Sequence, residues 1–268
     1  MARMTNALPD DTLETLWHRL RHRSSHPPPG DSWRVHIDGH PCGWAAPDVA
    51  RALLDIAEGD HTSQMLYLPG GNRNLARVAQ YLSERHLLKG WRDELLDVHD
   101  EAGECLGAIE RAVMRPLGLA THAVHLNAYA PDGTIWIARR AAHKNTDPGK
   151  WDTLVGGLVA SGETPNDALL RESNEEAGLL PEHLIRLRSA GSFVVRRIVP
   201  EGYQVEHTWV SECVLPPGFT PTNLDGEVDL IRQATPEEVI DMIAHDEFTA
   251  EAALSILLSL GCPPASGR

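Results

Sequence analysis

The sequence predicts a mixed α/β (α+β) protein in two parts, a small α/β unit over residues 1–90 and a larger domain over residues 91–268. Three observations lead there. Apolar positions at helical spacing alternate along the chain with short β-rich runs of period two, so neither kind of element dominates. The charge balance changes near residue 90: the first 90 residues hold ten Lys/Arg and ten Asp/Glu, whereas the remainder holds 14 and 28. A hydrophobic content of 42% over 268 residues is enough for a core in each part.

The first part opens with apolar Leu13, Leu16, Trp17 and Leu20, whose spacing predicts a helix over residues 12–23. Pro27, Pro28, Pro29 and Gly30 stop it, since proline lacks the amide donor and fixes φ. WRVHIDGHPCGW alternates around Asp38-Gly39, a hairpin signature. Helical periodicity returns over residues 47–56 and 75–87, with a short strand at 64–68 between them. His18, His22, His26, His36 and His40 fall on different predicted elements and read as scattered surface residues.

From Trp91 the pattern is strand, turn, strand: RDELLDVHD, then Glu101 to Glu104, then CLGAIERAV, opening the second domain. HAVHLNAYA and TIWIARRA flank Pro131-Asp132-Gly133 as a second hairpin. Further strands are predicted at 190–199, 204–215 and 228–231, the last after an acidic turn at Asp225-Gly226-Glu227. Thr235 and Pro236 cap and start a helix, and a final apolar helix over 250–260 ends at Gly261 with two prolines after it.

The densest chemistry lies in residues 156–179, GGLVASGETPNDALLRESNEEAGL. Thr164 as N-cap, Pro165 at the first position and Asp167 in the first turn predict a helix to Ala177, with Gly178 as its left-handed stop. Glu172, Glu175 and Glu176 differ by three and four residues and so share one face. Like charges at that spacing repel unless neutralised. Arg171, Lys144 or Lys150 could do so, as could a hard divalent cation, for which grouped oxygen ligands on a rigid element are the expected arrangement. Gly156 and Gly157 allow close backbone approach, and the Gly156 carbonyl could complete such a shell. A glutamate-rich helix taken alone is more often a solvated face.

The spacing carries more than that. Gly157, Glu163, Arg171-Glu172, Glu175-Glu176, Gly178 and Leu179 resemble the Nudix hydrolase signature GX5EX7REUXEEXGU at every fixed position, with Ser173 standing where that family has an aliphatic residue. The resemblance implies a Nudix αβα sandwich with a mixed sheet over residues 91–260. KGWRDELLDV, AVHLNAYA and DPGKWDTLVGGLVASGE also resemble a narrower branch with an N-terminal thiamine-pyrophosphokinase-related domain. That branch includes fungal and plant enzymes acting on damaged thiamine diphosphate analogues.

The resemblance implies metal-dependent hydrolysis of an organic diphosphate, X–O–P–O–P, with Mg²⁺ or Mn²⁺. Glu172, Glu175, Glu176 and Gly156 are then the expected metal ligands. Glu175 or Glu227 is the expected base, the choice being open, and Arg171 orients the carboxylates. Of Arg139 and Arg140 alternation sends one toward the cleft, and family analogy favours Arg139 as the diphosphate-binding residue. The alternatives are an isoprenoid diphosphate isomerase, whose cysteine is missing from residues 146–151, and a non-catalytic diphosphate sensor, which usually lacks one of the box glutamates.

A formal net charge of −14 argues against a nucleic-acid partner. Cys42, Cys105, Cys213 and Cys262 form no CxxC pair, which suggests neither zinc nor a disulfide framework. With no apolar run of about 18 residues and no signal-like N-terminus, no membrane partner and a cytoplasmic location are expected. The expected partner is a small-molecule diphosphate. A homodimer is one of the open oligomeric states.

Overall fold

The structure is a computed structural model that describes residues 10–144, 146–224 and 226–262. Asp225 of the expected acidic turn and the prolines after Gly261 lie outside these residues. Helix α1 (Asp10–Arg23) is followed by β1 (Trp33–Ile37), β2 (His40–Ala45), α2 (Pro47–Leu53), β3 (Glu58–Asp60), β4 (Met65–Leu68) and α3 (Asn72–Glu84). The four strands form a sheet of order β2-β1-β4-β3, with β1 and β4 parallel. Asp38 and Gly39 both have positive φ, the conformation that a two-residue hairpin turn demands.

Strands β5 (Leu95–His99) and β6 (Cys105–Glu110) pair only with each other. Their apolar face, Leu96, Val98 and Ile109, joins Val35, Ile37, Leu66 and Leu75 in the first core. This hairpin, expected to open the second domain, thus packs its apolar face into the core of the first sheet. Alternation fixes which side chains of a strand are buried but not which core receives them.

The main sheet comprises β7 (Ala120–Tyr129), β8 (Ile135–Arg140), β9 (Trp151–Thr153), β10 (Val155–Leu158), β11 (Ile185–Val199), β12 (Gly202–Val214) and β13 (Val228–Ala234). Its path is β11-β12-β7-β8-β13, with β10 beside β7 and β9 beside β8. The sheet is mixed, since β7 and β12 run parallel while its other pairs run antiparallel. Helix α4 (Pro165–Ala177) packs Ala168, Leu169 and Ala177 against Val124, Leu126 and Trp136 on one face. On the other face α5 (Pro236–Ala244) and α6 (Ala250–Ser259) cover Ile135, Ile137, Phe193 and Val195. The result is an αβα sandwich.

Helix α1 belongs to that second face although it precedes the first sheet. Leu16, Trp17 and Leu20 lie in the α5–α6 core, and Trp17 meets Phe193 edge-on at 6.4 Å between centroids. The following segment runs along β11, with the His26 N–H donating to the Arg196 carbonyl and the Arg196 N–H to the Ser24 carbonyl. The core boundaries thus do not coincide with a cut at residue 90: α1 lies in the second core and the β5–β6 hairpin in the first.

Candidate active site

Local sequence sets α4 in place. The Thr164 hydroxyl accepts the Asp167 N–H at 3.2 Å, the Asp167 carboxylate accepts the Thr164 N–H at 3.1 Å, and Gly178 ends the helix at φ 63°. Ser173 faces the core, fully buried, and its hydroxyl has no hydrogen-bond partner. The glutamates adjoin this packed side and lie against β10. That strand was not predicted, since Gly156-Gly157 breaks any alternation. Its reason is long-range: a Cβ on Gly157 would lie 2.0 Å from the Glu172 carboxyl carbon and would displace that carboxylate from its position beside Arg171.

Arg171 ties the acidic residues together. Its Nε and Nη2 donate to the two Glu163 oxygens at 2.7 and 2.8 Å, and Nη1 donates to Glu172 at 2.8 Å and Glu175 at 3.1 Å. Nη2 also donates to the Leu158 carbonyl at 3.1 Å, anchoring the helix to the end of β10. Hydrogen bonding to Arg171 holds the Glu163 carboxyl below its usual range. Glu175 is half exposed.

Glu176 is buried, and its carboxylate accepts the Gly156 N–H at 2.7 Å. Burial pushes its pKa well above the ordinary value, against that hydrogen bond, and the Glu172 and Asp152 charges push it further. Glu172 is raised as well, chiefly by burial, with Arg171 opposing and the Glu175 and Glu227 charges adding. In an antiparallel ladder the N–H and C=O of one residue point to the same edge. The Gly156 N–H is directed at Glu176 rather than at β7, so its carbonyl lies on the Glu176 side also.

Glu227 is brought to this cluster from the far side of the sheet, just before β13. It pairs with Lys144 and shares with Glu176, Gly156, Asp152 and Arg140 a cavity of about 10 Å³, room for about one water-sized group. Burial works to raise its pKa, but Lys144 first, then Arg111 and Arg140, hold it below the ordinary carboxylate value. Arg140 donates to Asp152 at 2.9 Å and lines the cavity. Arg139 does not join them: it is exposed and shares the strand parity of Ile135 and Ile137, which face α5 and α6. Arg140, the neighbour of the expected Arg139, is the one on the α4 side of β8, with Trp136 and Ala138.

Sequence reading missed Asp152 and Asp97. Asp97 of β5 accepts the Ser161 hydroxyl at 2.5 Å and the Gly162 N–H at 3.1 Å, clamping the loop between β10 and α4. Neither aspartate has a local signal, since each acts through a contact distant in sequence. Glu172, Glu176, Glu227 and the Gly156 backbone form the oxygen-rich donor set that suits a hard divalent cation. Two carboxylates raised by burial and by neighbouring negative charge are the electrostatic state such a cation relieves.

A model of the NUDIX domain matches residues 119–254, half of the chain. The chain belongs to the NUDIX family. Nudix hydrolase 24, chloroplastic, of Arabidopsis thaliana is 30% identical over 190 residues, covering 69% of this chain and 52% of that protein. A Nudix hydrolase of Deinococcus radiodurans is 30% identical over 158 residues, 59% of this chain and 88% of that protein. The chain spans about half the length of the Arabidopsis relatives it matches. Among solved structures, a Deinococcus radiodurans protein aligns at TM-score 0.46 and 27% identity, over 62% of this chain and 97% of its own. A Francisella tularensis bifunctional NMN adenylyltransferase/ADP ribose pyrophosphatase, solved with AMP and a Mn ion, aligns at TM-score 0.43 and 19% identity, over 55% and 43%. Among the described residues no helix is long and apolar enough to cross a membrane.

Proposed function

We propose that this NUDIX protein hydrolyses a phosphoanhydride bond of an organic diphosphate with a divalent cation, Mg²⁺ or Mn²⁺. The observation that carries the reading is the convergence of Glu172, Glu176 and Glu227 with the Gly156 backbone in one part-buried site. Glu172, Glu176 and the Gly156 carbonyl would hold the cation, with Glu175 at the rim. The cation, when bound, neutralises the diphosphate oxygens and the charge that develops on them.

Each protein group has a task in that scheme. Arg171 fixes the rotamers of Glu172 and Glu163, so the ligands are in position before substrate arrives. Arg140, already held by Asp152, offers positive charge to the diphosphate from the sheet side. Of the two candidate bases, Glu227 is oriented by Lys144 toward the cavity it shares with Glu176, whereas Glu175 turns to Arg171. We assign proton acceptance from water to Glu227. The narrower branch resemblance supports thiamine diphosphate or its oxidised analogues as substrates, giving the monophosphate and phosphate.

Two measurements test this. Glu176→Gln is expected to abolish metal-dependent phosphate release with the circular-dichroism spectrum unchanged, and near-normal turnover would sink the assignment of the cluster. A substrate panel scored for monophosphate and phosphate, including thiamine diphosphate and its oxidised analogues beside dinucleotides and nucleotide sugars, decides the leaving group.

A further inference from the structure

The site described above has no room for the organic part of a substrate, since the cavity at Glu176 measures about 10 Å³. A much larger cleft of about 970 Å³, within the range of small-molecule sites, lies between the first sheet, the β5–β6 hairpin and the α4 side of the main sheet. We infer that this cleft receives the organic group of the diphosphate and that it is built for a planar heteroaromatic ring. The inference rests on the hydrolase reading above.

The cleft reaches the reacting centre. Val159, Ala160 and Glu163 of the loop before α4 form one of its edges. Glu163 is held by Arg171, whose Nη1 holds Glu172, so one guanidinium separates the edge of the cleft from the carboxylate cluster. That edge is fixed from the opposite wall by Asp97, through Ser161 and Gly162. Substrate bridging the two would lie across a loop that both parts of the protein hold in place.

Its floor is a row of rings. The parallel register of β12 and β7 sets His207 beside His122, with centroids 5.2 Å apart, and His99 of β5 meets His122 edge-on at 5.3 Å. Two residues along β12 on the same face stands Trp209, 42% exposed. Burial first, then the neighbouring imidazoles, hold His122 down to about 4, and burial with Arg196 lowers His207. Both are therefore neutral at pH 7, and each offers one donor, one acceptor and a ring face.

The acidic lining is already committed. Asp97 is bonded to the loop, Asp100 to His40 and to backbone N–H groups, Glu101 to Arg34 and Glu163 to Arg171. Arg34 also covers the Trp44 ring at 4.7 Å. What remains for a ligand is the Trp209 face and the imidazole row, with the Arg196 guanidinium beside them. That lining suits the π-face and ring nitrogens of a heterocycle, which stack on aromatic side chains and exchange hydrogen bonds with imidazoles. It does not suit an aliphatic chain, which would strand the imidazoles without partners.

The test uses the full chain in metal-free buffer with EDTA and calorimetric titration of three probes: AMP, thiamine monophosphate and ribose 5-phosphate. At least one ring-bearing probe is expected to bind tenfold or more tightly than ribose 5-phosphate. Trp209→Ala should abolish that tenfold preference and Trp209→Phe should restore most of it. His207→Asn, on the half-buried part of the floor, provides a second variant with the same expected loss. Equal binding of all three probes, or an unchanged preference in both Trp209→Ala and His207→Asn, overturns the inference. The hydrolase reading fails separately: ring binding by a protein that releases no phosphate from any diphosphate would leave the cleft standing and remove the catalytic assignment.

Discussion

Replacing Arg171 with lysine preserves the charge and removes the geometry. The guanidinium makes five bonds, to both Glu163 oxygens, Glu172, Glu175 and the Leu158 carbonyl, between 2.7 and 3.1 Å. An ammonium is a single point with three donors and cannot span the Glu163 fork while also reaching Glu172 and Leu158. Charge-assisted bonds contribute about 1.5–3 kcal/mol each when shielded from solvent. Arg171 is 32% exposed and its Glu175 contact half so, which takes that contact to near zero and reduces the others. Loss of two or three shielded bonds amounts to roughly 2–4 kcal/mol. For a chain of this size that lowers Tm by about 10 °C. Thermal unfolding of Arg171→Lys in EDTA, followed by circular dichroism, measures it. A Tm within two or so degrees of the wild type would show that the fork is not what holds the loop, β10 and the helix together, and the positioning role assigned to Arg171 would have to be abandoned.

Gly157→Ala is expected to displace Glu172, since the new Cβ meets its carboxyl carbon, and so to abolish metal-dependent phosphate release; wild-type turnover in this variant would contradict the packing. Glu206 is buried and raised to about 7 by burial first and by Glu251 second, so its contribution to stability is present below about 4.5 and is lost as pH rises through 7. Urea unfolding at pH 5 and pH 8 should show that loss, of order 3 kcal/mol, in the wild type and a flatter response in Glu206→Gln. A fragment beginning at residue 91 is expected to be unstable, because it lacks Leu16, Trp17 and Leu20 of the α5–α6 core, worth about 2 kcal/mol each; a cooperative melt near that of the full chain would refute this.

What could be read from the sequence is what is decided within one or two turns of chain. Thr164, Pro165 and Gly178 specify α4 by caps that lie beside it, and Asp38-Gly39 specifies its hairpin by backbone conformation alone. Positions that depend on a distant partner were not legible. Residues 156 and 157 looked like a loop because the strand there exists only through β7, and because the Glu172 carboxylate stands where a Cβ on Gly157 would lie. Alternation limits one of Arg139 and Arg140 to each face of β8, but only the packing of α4 says which face holds the site. The same limit hid the assignment of α1. Its apolar stripe states that it must be buried, and says nothing of the fact that the receiving surface, Phe193 and the α5–α6 pair, lies beyond the whole first sheet. The histidine row is the extreme case, since His99, His122 and His207 acquire a joint meaning only when a parallel register and a hairpin from the other core bring them side by side. A motif can therefore identify the reaction that a short, self-capped element serves, while substrate choice resides in contacts between elements that no local pattern encodes.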